Sequence, residues 1–260
     1  MTGRITLLLG LLLLATACGG GSSSTSSSSG SIAGNWQMTL QKSNTKLKRT
    51  QSGFLLQNKD TVTGGVIFTD FPCSRVGSVT GSLTGTDIGF SVSLTGLTVN
   101  LTGTLGSDQA SMSGDYTILA TGCEGVLTNT QETGSWTASL VKPLSGNFQG
   151  TFKSTRLGTS YPVTGQVSQG PNTGISNAPL TGNLSVTGYC FTGAKISGVV
   201  SGTAVVMNLL NSDGTQVGEL TGTSALDGSS VTGTYQVLPQ GPTGTPPCDD
   251  GERGTVTLTL

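Results

Sequence analysis

Ser111-Met112-Ser113-Gly114-Asp115-Tyr116 returns later in the chain as Ser230-Val231-Thr232-Gly233-Thr234-Tyr235. The repetition is not isolated. Gly34-Asn35-Trp36-Gln37 returns as Gly146-Asn147-Phe148-Gln149, and Leu101-Thr102-Gly103-Thr104 as Leu220-Thr221-Gly222-Thr223. Cys73 stands eight residues before Gly81, and Cys190 eight before Gly198. Cys123 matches Cys248. Each copy closes on an alternating segment, Gly134-Ser135-Trp136-Thr137-Ala138-Ser139-Leu140 and Gly254-Thr255-Val256-Thr257-Leu258-Thr259-Leu260. The matches keep their order while the offset drifts from 112 to 125, which is what small loop insertions produce.

The local pattern has period two. Ser91-Val92-Ser93-Leu94 and Val99-Asn100-Leu101-Thr102 alternate polar with apolar residues, and no helical period runs for any length. Alternation rich in β-branched residues predicts half-buried antiparallel strands. Glycine is abundant, 41 of 260 residues, and often follows Thr or Ser. Some of these pairs are expected to be turns and others glycine kinks inside curved strands. Strands are predicted near Asn35–Gln41, Gly53–Asn58, Thr61–Phe68, Gly77–Leu83, Asp87–Leu94, Leu97–Leu105, Gln109–Leu119 and Gly134–Val141. The fold class is therefore all-β, with two tandem antiparallel domains of about eight strands each, over 32–142 and 143–260.

The N-terminus has its own logic. Arg4, the apolar run Leu7 to Leu14 and Ala15-Thr16-Ala17 have the layout of a signal peptide, and the apolar run is far shorter than the ~20 residues of a membrane-spanning helix. With Cys18 directly after the small residues, the arrangement resembles a bacterial lipoprotein signal. The resemblance implies cleavage after residue 17 and diacylglyceryl and acyl groups on Cys18, an anchor that multiple chains make durable. It departs from the family at Ala15, where Leu is usual. Gly19 beside the anchor implies sorting to an outer membrane where one exists. Residues 18–31 are nearly all Gly and Ser after the cysteine and are expected to form a flexible tether.

Four cysteines remain: Cys73, Cys123, Cys190 and Cys248. An even number in an exported chain predicts disulfides. The duplication selects Cys73–Cys123 and Cys190–Cys248 from three possible connectivities. No CxxC pair is present, so a thiolate metal site is not expected.

Eight short antiparallel strands per unit suit an up-and-down barrel. The Gly-x-Trp start, with Trp36 on the first strand, resembles the opening of calycin barrels, the lipocalins and avidins. That resemblance implies that first and last strands pair and brings Trp36 and Trp136 near each other. A two-sheet sandwich is the rival. A sixteen-stranded outer-membrane barrel fits poorly, because aromatic residues are only 5%.

The chain has no histidine, which removes His-based triads, bases and metal sites. Net charge is −1, so no broad basic face and no nucleic-acid partner are expected. No two acidic residues are identified at matching places in the two units, and no catalytic residues are assigned. Lys42, Lys46, Lys48 and Arg49 read as a solvated hairpin loop, with contact to anionic headgroups or polysaccharide as the sharper alternative. Asp249, Asp250 and Glu252 read as an acidic loop rather than a Ca²⁺ site. Trp36, Trp136, Tyr116 and Tyr235 read as packing residues. The functional expectation is a membrane-anchored envelope lipoprotein, without cofactor or metal, in a structural or surface-binding role. Its possible partners are envelope polysaccharide or a small apolar ligand. The alternative is a carrier holding that apolar ligand inside a barrel. A glycan hydrolase, needing two converging carboxylates, ranks below both.

Overall fold

A computed structural model describes residues 30–69, 76–120, 131–189, 192–239 and 251–260. Cys18, Cys73, Cys123, Cys190, Cys248, Asp249 and Asp250 lie outside the described residues. Strands β1 (Gly34–Lys42), β2 (Lys48–Asn58), β3 (Thr61–Phe68), β4 (Val76–Thr84), β5 (Asp87–Leu94), β6 (Leu97–Leu105), β7 (Ser111–Ala120) and β8 (Gln131–Val141) form one closed barrel. A second closed barrel contains β9 (Ser145–Ser154), β10 (Ser160–Gln169), β11 (Ala178–Val186), β12 (Gly193–Ser201), β13 (Ala204–Leu210), β14 (Gln216–Ser224), β15 (Ser230–Val237) and β16 (Glu252–Thr259). Each strand pairs antiparallel with its sequence neighbours, and β1–β8 and β9–β16 pairing closes each ring. The barrel, rather than the sandwich, is the architecture.

Alternation sets the polarity of each wall. In β7, Met112, Tyr116, Ile118 and Ala120 point inward and are buried; in β16, Glu252, Val256 and Leu258 do so. Outward positions are mostly Thr, Ser, Asn and Gln, as in Thr98, Asn100, Thr102 and Thr104 of β6. This is the reverse of a membrane-spanning barrel, whose outer wall is apolar.

Most strands carry one inward glycine, and these explain the Thr-Gly pairs inside strands. A Cβ on Gly103 would collide with the Ser113 carbonyl oxygen, and one on Gly114 with that of Thr102. Gly103 and Gly114 are direct partners in the β6–β7 ladder, as are Gly222 and Gly233 in β14–β15. Removing the side chain lets adjacent strands coil tightly enough to close an eight-stranded ring.

The interiors are filled. Inward side chains from strands across each ring, Trp36, Val66, Leu101 and Trp136 in one and Phe152, Leu180, Met207 and Val256 in the other, are 0–1% exposed. Trp36 and Trp136 are both buried, on paired strands but four steps apart, since Trp36 faces Leu140 and Leu40 faces Trp136. Phe148 and Val256 fill the corresponding places in the second barrel.

The base of each barrel is closed by the same device. Ile32, just before β1, is fully buried; its N–H donates to Gln57 Oε1 at 2.8 Å, and its carbonyl accepts from Trp36 Nε1 at 2.8 Å. Leu144, just before β9, is equally buried and donates to Gln169 Oε1 at 3.1 Å. Gln57 and Gln169 occupy equivalent places, each four residues beyond an inward glycine, Gly53 or Gly165.

Lys142-Pro143-Leu144 is the covalent link from β8 to β9. The base rim of the second barrel rests on the β1–β2 flank of the first. Asn35 Nδ2 donates to the Gly202 carbonyl at 2.8 Å, and Asn35 Oδ1 accepts from Gly202 N–H at 2.7 Å. Gln37 Oε1 accepts from the N–H and hydroxyl of Thr203, and the Ser52 and Ser201 hydroxyls meet at 2.9 Å. Asn172 Nδ2 donates to the Leu55 carbonyl at 2.7 Å. Phe54 points out of its own barrel and joins the hydrophobic core of the other.

Candidate functional site: the two barrel rims

The rim opposite the base is where buried charge and aromatic rings gather. In the first barrel Glu132 is the second residue of β8 and points inward, 4% exposed. It accepts a hydrogen bond from Arg49 Nη1 and another, at 2.9 Å, from the Tyr116 hydroxyl, while Lys42 Nζ lies 3.4 Å from its second oxygen. Burial alone would push the Glu132 carboxyl up; the Arg49 and Tyr116 hydrogen bonds and the Arg49 and Lys42 charges outweigh it and hold it below the usual range. Burial, followed by the bond to Glu132, pushes the Tyr116 hydroxyl well above its ordinary value.

The second rim is built at the same places with different side chains. Glu252 stands at the start of β16 where Glu132 stands near the start of β8, each two residues before the inward glycine that faces Tyr235 or Tyr116. Ser154 replaces Lys42 and donates to Glu252 Oε1 at 2.8 Å. Tyr161 replaces Arg49, each pairing with the inward residue before it, Phe152 or Leu40. Arg156, from the β9–β10 turn, contacts Glu252 Oε2 at 3.4 Å. Four rings surround this point: Phe152 stacks on Tyr235 at 4.5 Å, and Tyr161 meets Tyr189 edge-on at 4.6 Å. Burial pushes the Tyr189 and Tyr235 hydroxyls upward.

Three sequence expectations are corrected here. Acidic residues do fall at matching places, Glu132 and Glu252; the match appears when one counts two residues back from the closing Gly134 and Gly254. Glu252 is not part of an exposed acidic loop but an interior residue of the second barrel. The basic cluster is not simply a solvated loop, because Lys42 ends β1, Lys48 and Arg49 begin β2, and Arg49 turns inward to Glu132. Lys46 remains exposed in the β1–β2 turn. Tyr116, Tyr235, Trp36 and Trp136 pack as expected, and Tyr116 adds a hydrogen bond.

Clefts open beside both rims. One of about 550 Å³ is lined by Arg156, Gln236, Pro239, Glu252 and Arg253. Another of about 640 Å³ lies under the β1–β2 turn, with Lys42, Lys46, Asp115 and Ser135. A third, of about 590 Å³, runs between the barrels past Gly64, Val76, Leu94 and Ile175. Among the described residues no group of three potential metal ligands converges. The buried carboxylates among them number one per barrel, each engaged by hydroxyl and cationic partners.

By fold the chain is a tandem of closed eight-stranded antiparallel barrels. No family model and no curated protein sequence matches it. Among solved structures, kievitone hydratase from Nectria haematococca aligns over 90% of this chain and 91% of its own at 9% identity, with a TM-score of 0.25. An AttH-type protein from Nitrosomonas europaea aligns over 86% of this chain and 91% of its own, at 12% identity and a TM-score of 0.21. Scores this low carry no functional argument.

Proposed function

We propose that this is an exported, lipid-anchored envelope protein whose two barrels serve as rigid structural or surface-binding modules, without catalytic activity. The observation that carries this reading is the packed interior. Large inward side chains on strands all round each ring, such as Val66, Leu101 and Trp136 in one and Leu180, Met207 and Val256 in the other, are almost fully buried, Ile32 and Leu144 stop the bases, and ionic and aromatic clusters stop the rims. An eight-stranded ring is only wide enough for its own side chains or one small ligand, and here side chains take the space. The carrier alternative needs room that the core residues occupy. Glu132 and Glu252 support a structural reading too, since each is spent on partners within its own barrel.

Under this proposal Cys18 carries the lipid, and the Gly/Ser segment holds the first barrel near the membrane. Surface binding, to polysaccharide or headgroups, then falls to the outer walls, rims and clefts. The cysteine pairing remains part of the proposal: the strands bracketing Cys73 and Cys123 open at one rim, and those bracketing Cys190 and Cys248 open at the corresponding rim.

Native mass spectrometry of protein extracted from membranes tests the packed-barrel reading. The expected mass is that of the acylated chain alone; a co-purifying apolar molecule at one or two per chain would overturn it. Cys18→Ser tests the anchor separately, with release from the membrane or an unprocessed precursor expected.

A further inference from the structure

The contact that joins the two barrels is written twice in the chain and used once. In the observed contact the receiving surface is the β1–β2 flank of the first barrel, with Asn35, Gln37 and Ser52, and the element seated on it is the β12–β13 turn of the second, Ser201-Gly202-Thr203. Strand register identifies the unused copies. Asn147, Gln149 and Thr164 on the β9–β10 flank stand where Asn35, Gln37 and Ser52 stand on the first. Thr84-Gly85-Thr86, the β4–β5 turn, stands where Ser201-Gly202-Thr203 stands, between the same strands of its barrel.

The copies keep the chemistry of recognition. Asn and Gln are identical at both flanks. The hydroxyl pair Ser52–Ser201 becomes Thr164–Thr84, which can make the same bond. Gly202 and Gly85 share a left-handed backbone, with φ of 56° and 64°, and a Thr follows each. At Gly202 the closeness of Gln37 leaves no room for a Cβ, whereas nothing lies within 4 Å of a Cβ built on Gly85. Asn147, Gln149, Thr164, Gly85 and Thr86 are all exposed. Both halves of a complementary contact therefore face solvent, on different barrels of one molecule.

We infer that a second copy of this chain docks its β4–β5 turn on the β9–β10 flank of the first, repeating between molecules the clamp that joins the barrels within one. Such a contact is heterologous and leaves a free turn and a free flank at the two ends, so it propagates as an open chain of copies rather than closing as a dimer. It is weaker than the internal contact. Phe54 and Leu56 are replaced by Gln166 and Ser168, and the 170–177 segment that carries Asn172 has only the short Lys59-Asp60 turn as its counterpart. Association is thus expected at high local concentration, the condition that confinement to a surface creates. The contact itself needs no lipid anchor.

Sedimentation of the full-length chain in detergent, over a rising concentration series, reads the association directly. Mass-averaged size is expected to grow with concentration past the dimer. Asn147→Ala with Gln149→Ala changes only exposed side chains and is expected to weaken association at least about tenfold, a loss of about 1.4 kcal/mol. Thr86→Trp, also exposed, should block the turn. At concentrations where the wild-type chain assembles, neither variant is expected to assemble alone, but the flank variant keeps an intact turn and the turn variant an intact flank. An equimolar mixture is therefore expected to form a dimer and stop there. A wild-type chain that stays monomeric overturns the inference, as does assembly that either variant leaves unchanged, or a mixture that remains monomeric.

Discussion

At the scale of single residues, two features have sharp energetic consequences. The inward glycines are places where one methyl group decides whether the wall closes. Gly114→Ala puts a Cβ against the Thr102 carbonyl and the Gly103 Cα and is expected to destabilise by about 2–4 kcal/mol. Gly89→Ala is the control, because Gly89 points outward with nothing within 4 Å of its Cβ, and its change should stay within about 0.5 kcal/mol. Urea midpoints separate the two; equal effects would sink the steric account. The second feature is Glu132. Its carboxyl is held below its ordinary value of 4.5, so the stabilisation it gives is fully present above that value. It is lost as pH falls through the lower, folded value. Glu132→Gln leaves Arg49 without its anion and is expected to cost roughly 3 kcal/mol near neutral pH. The gap between wild type and variant should narrow below about pH 4.5, and a pH-independent gap would show that charge is not the cause. Nothing around the two carboxylates marks them as a pair in sequence, because their partners differ, Arg49 and Lys42 in one barrel and Ser154 and Arg156 in the other. Only the distance to the closing glycine relates them.

At the scale of elements, the strands were legible because alternation survives wherever one face is buried. β3, β5 and β6 run over Thr61–Phe68, Asp87–Leu94 and Leu97–Leu105, the limits their patterns predict. The pattern misleads where inward residues are polar. β2 begins at Lys48 rather than Gly53, since inward Arg49 and Gln51 look like loop residues until Glu132 and Met38 are seen to receive them. β7 begins at Ser111 rather than Gln109, which takes a positive φ of 53° in the preceding turn. β8 begins at Gln131, ahead of Gly134, for the same reason as β2: Glu132 points inward. The base plugs were also hidden, because one apolar residue before a strand carries no period. Their weight is testable. Ile32→Ala should cost about 2–4 kcal/mol, as a fully buried side chain does on truncation. Hydrogen exchange should quicken at Ile32 and in the first residues of β1 while β9–β16 keep their protection. Unchanged exchange around Ile32 would mean that the plug does not hold the base.

At the scale of the whole molecule, the duplication predicted two like units, and the structure shows where they became unlike. Both flanks present the Asn-x-Gln pair, but only the first carries Phe54, seated in the core of the second barrel at 2% exposure. Its counterpart Gln166 is exposed. Nothing local in the sequence separates the two, since Phe54 reads as one more apolar strand residue. Only the register shows that it points outward, its neighbours Gly53 and Leu55 lying on the inner face. Phe54 thus converts a polar clamp into a lasting joint, and Phe54→Gln should make the first flank resemble the second. The apolar burial lost is worth about 2–3 kcal/mol. Because the ring packs among side chains of the second barrel, that loss should fall on barrel coupling and on β9–β16 rather than on the interior of β1–β8. In hydrogen exchange, amides of β12, β13 and residues 171–177 should gain rate, while those of β5, β6 and β7 keep theirs. Thermal unfolding should correspondingly split from one transition into two, with β9–β16 melting first. Equal loss of protection in both barrels would mean that Phe54 supports its own barrel, and the joint would then rest on the polar contacts of Asn35, Gln37, Ser52 and Asn172.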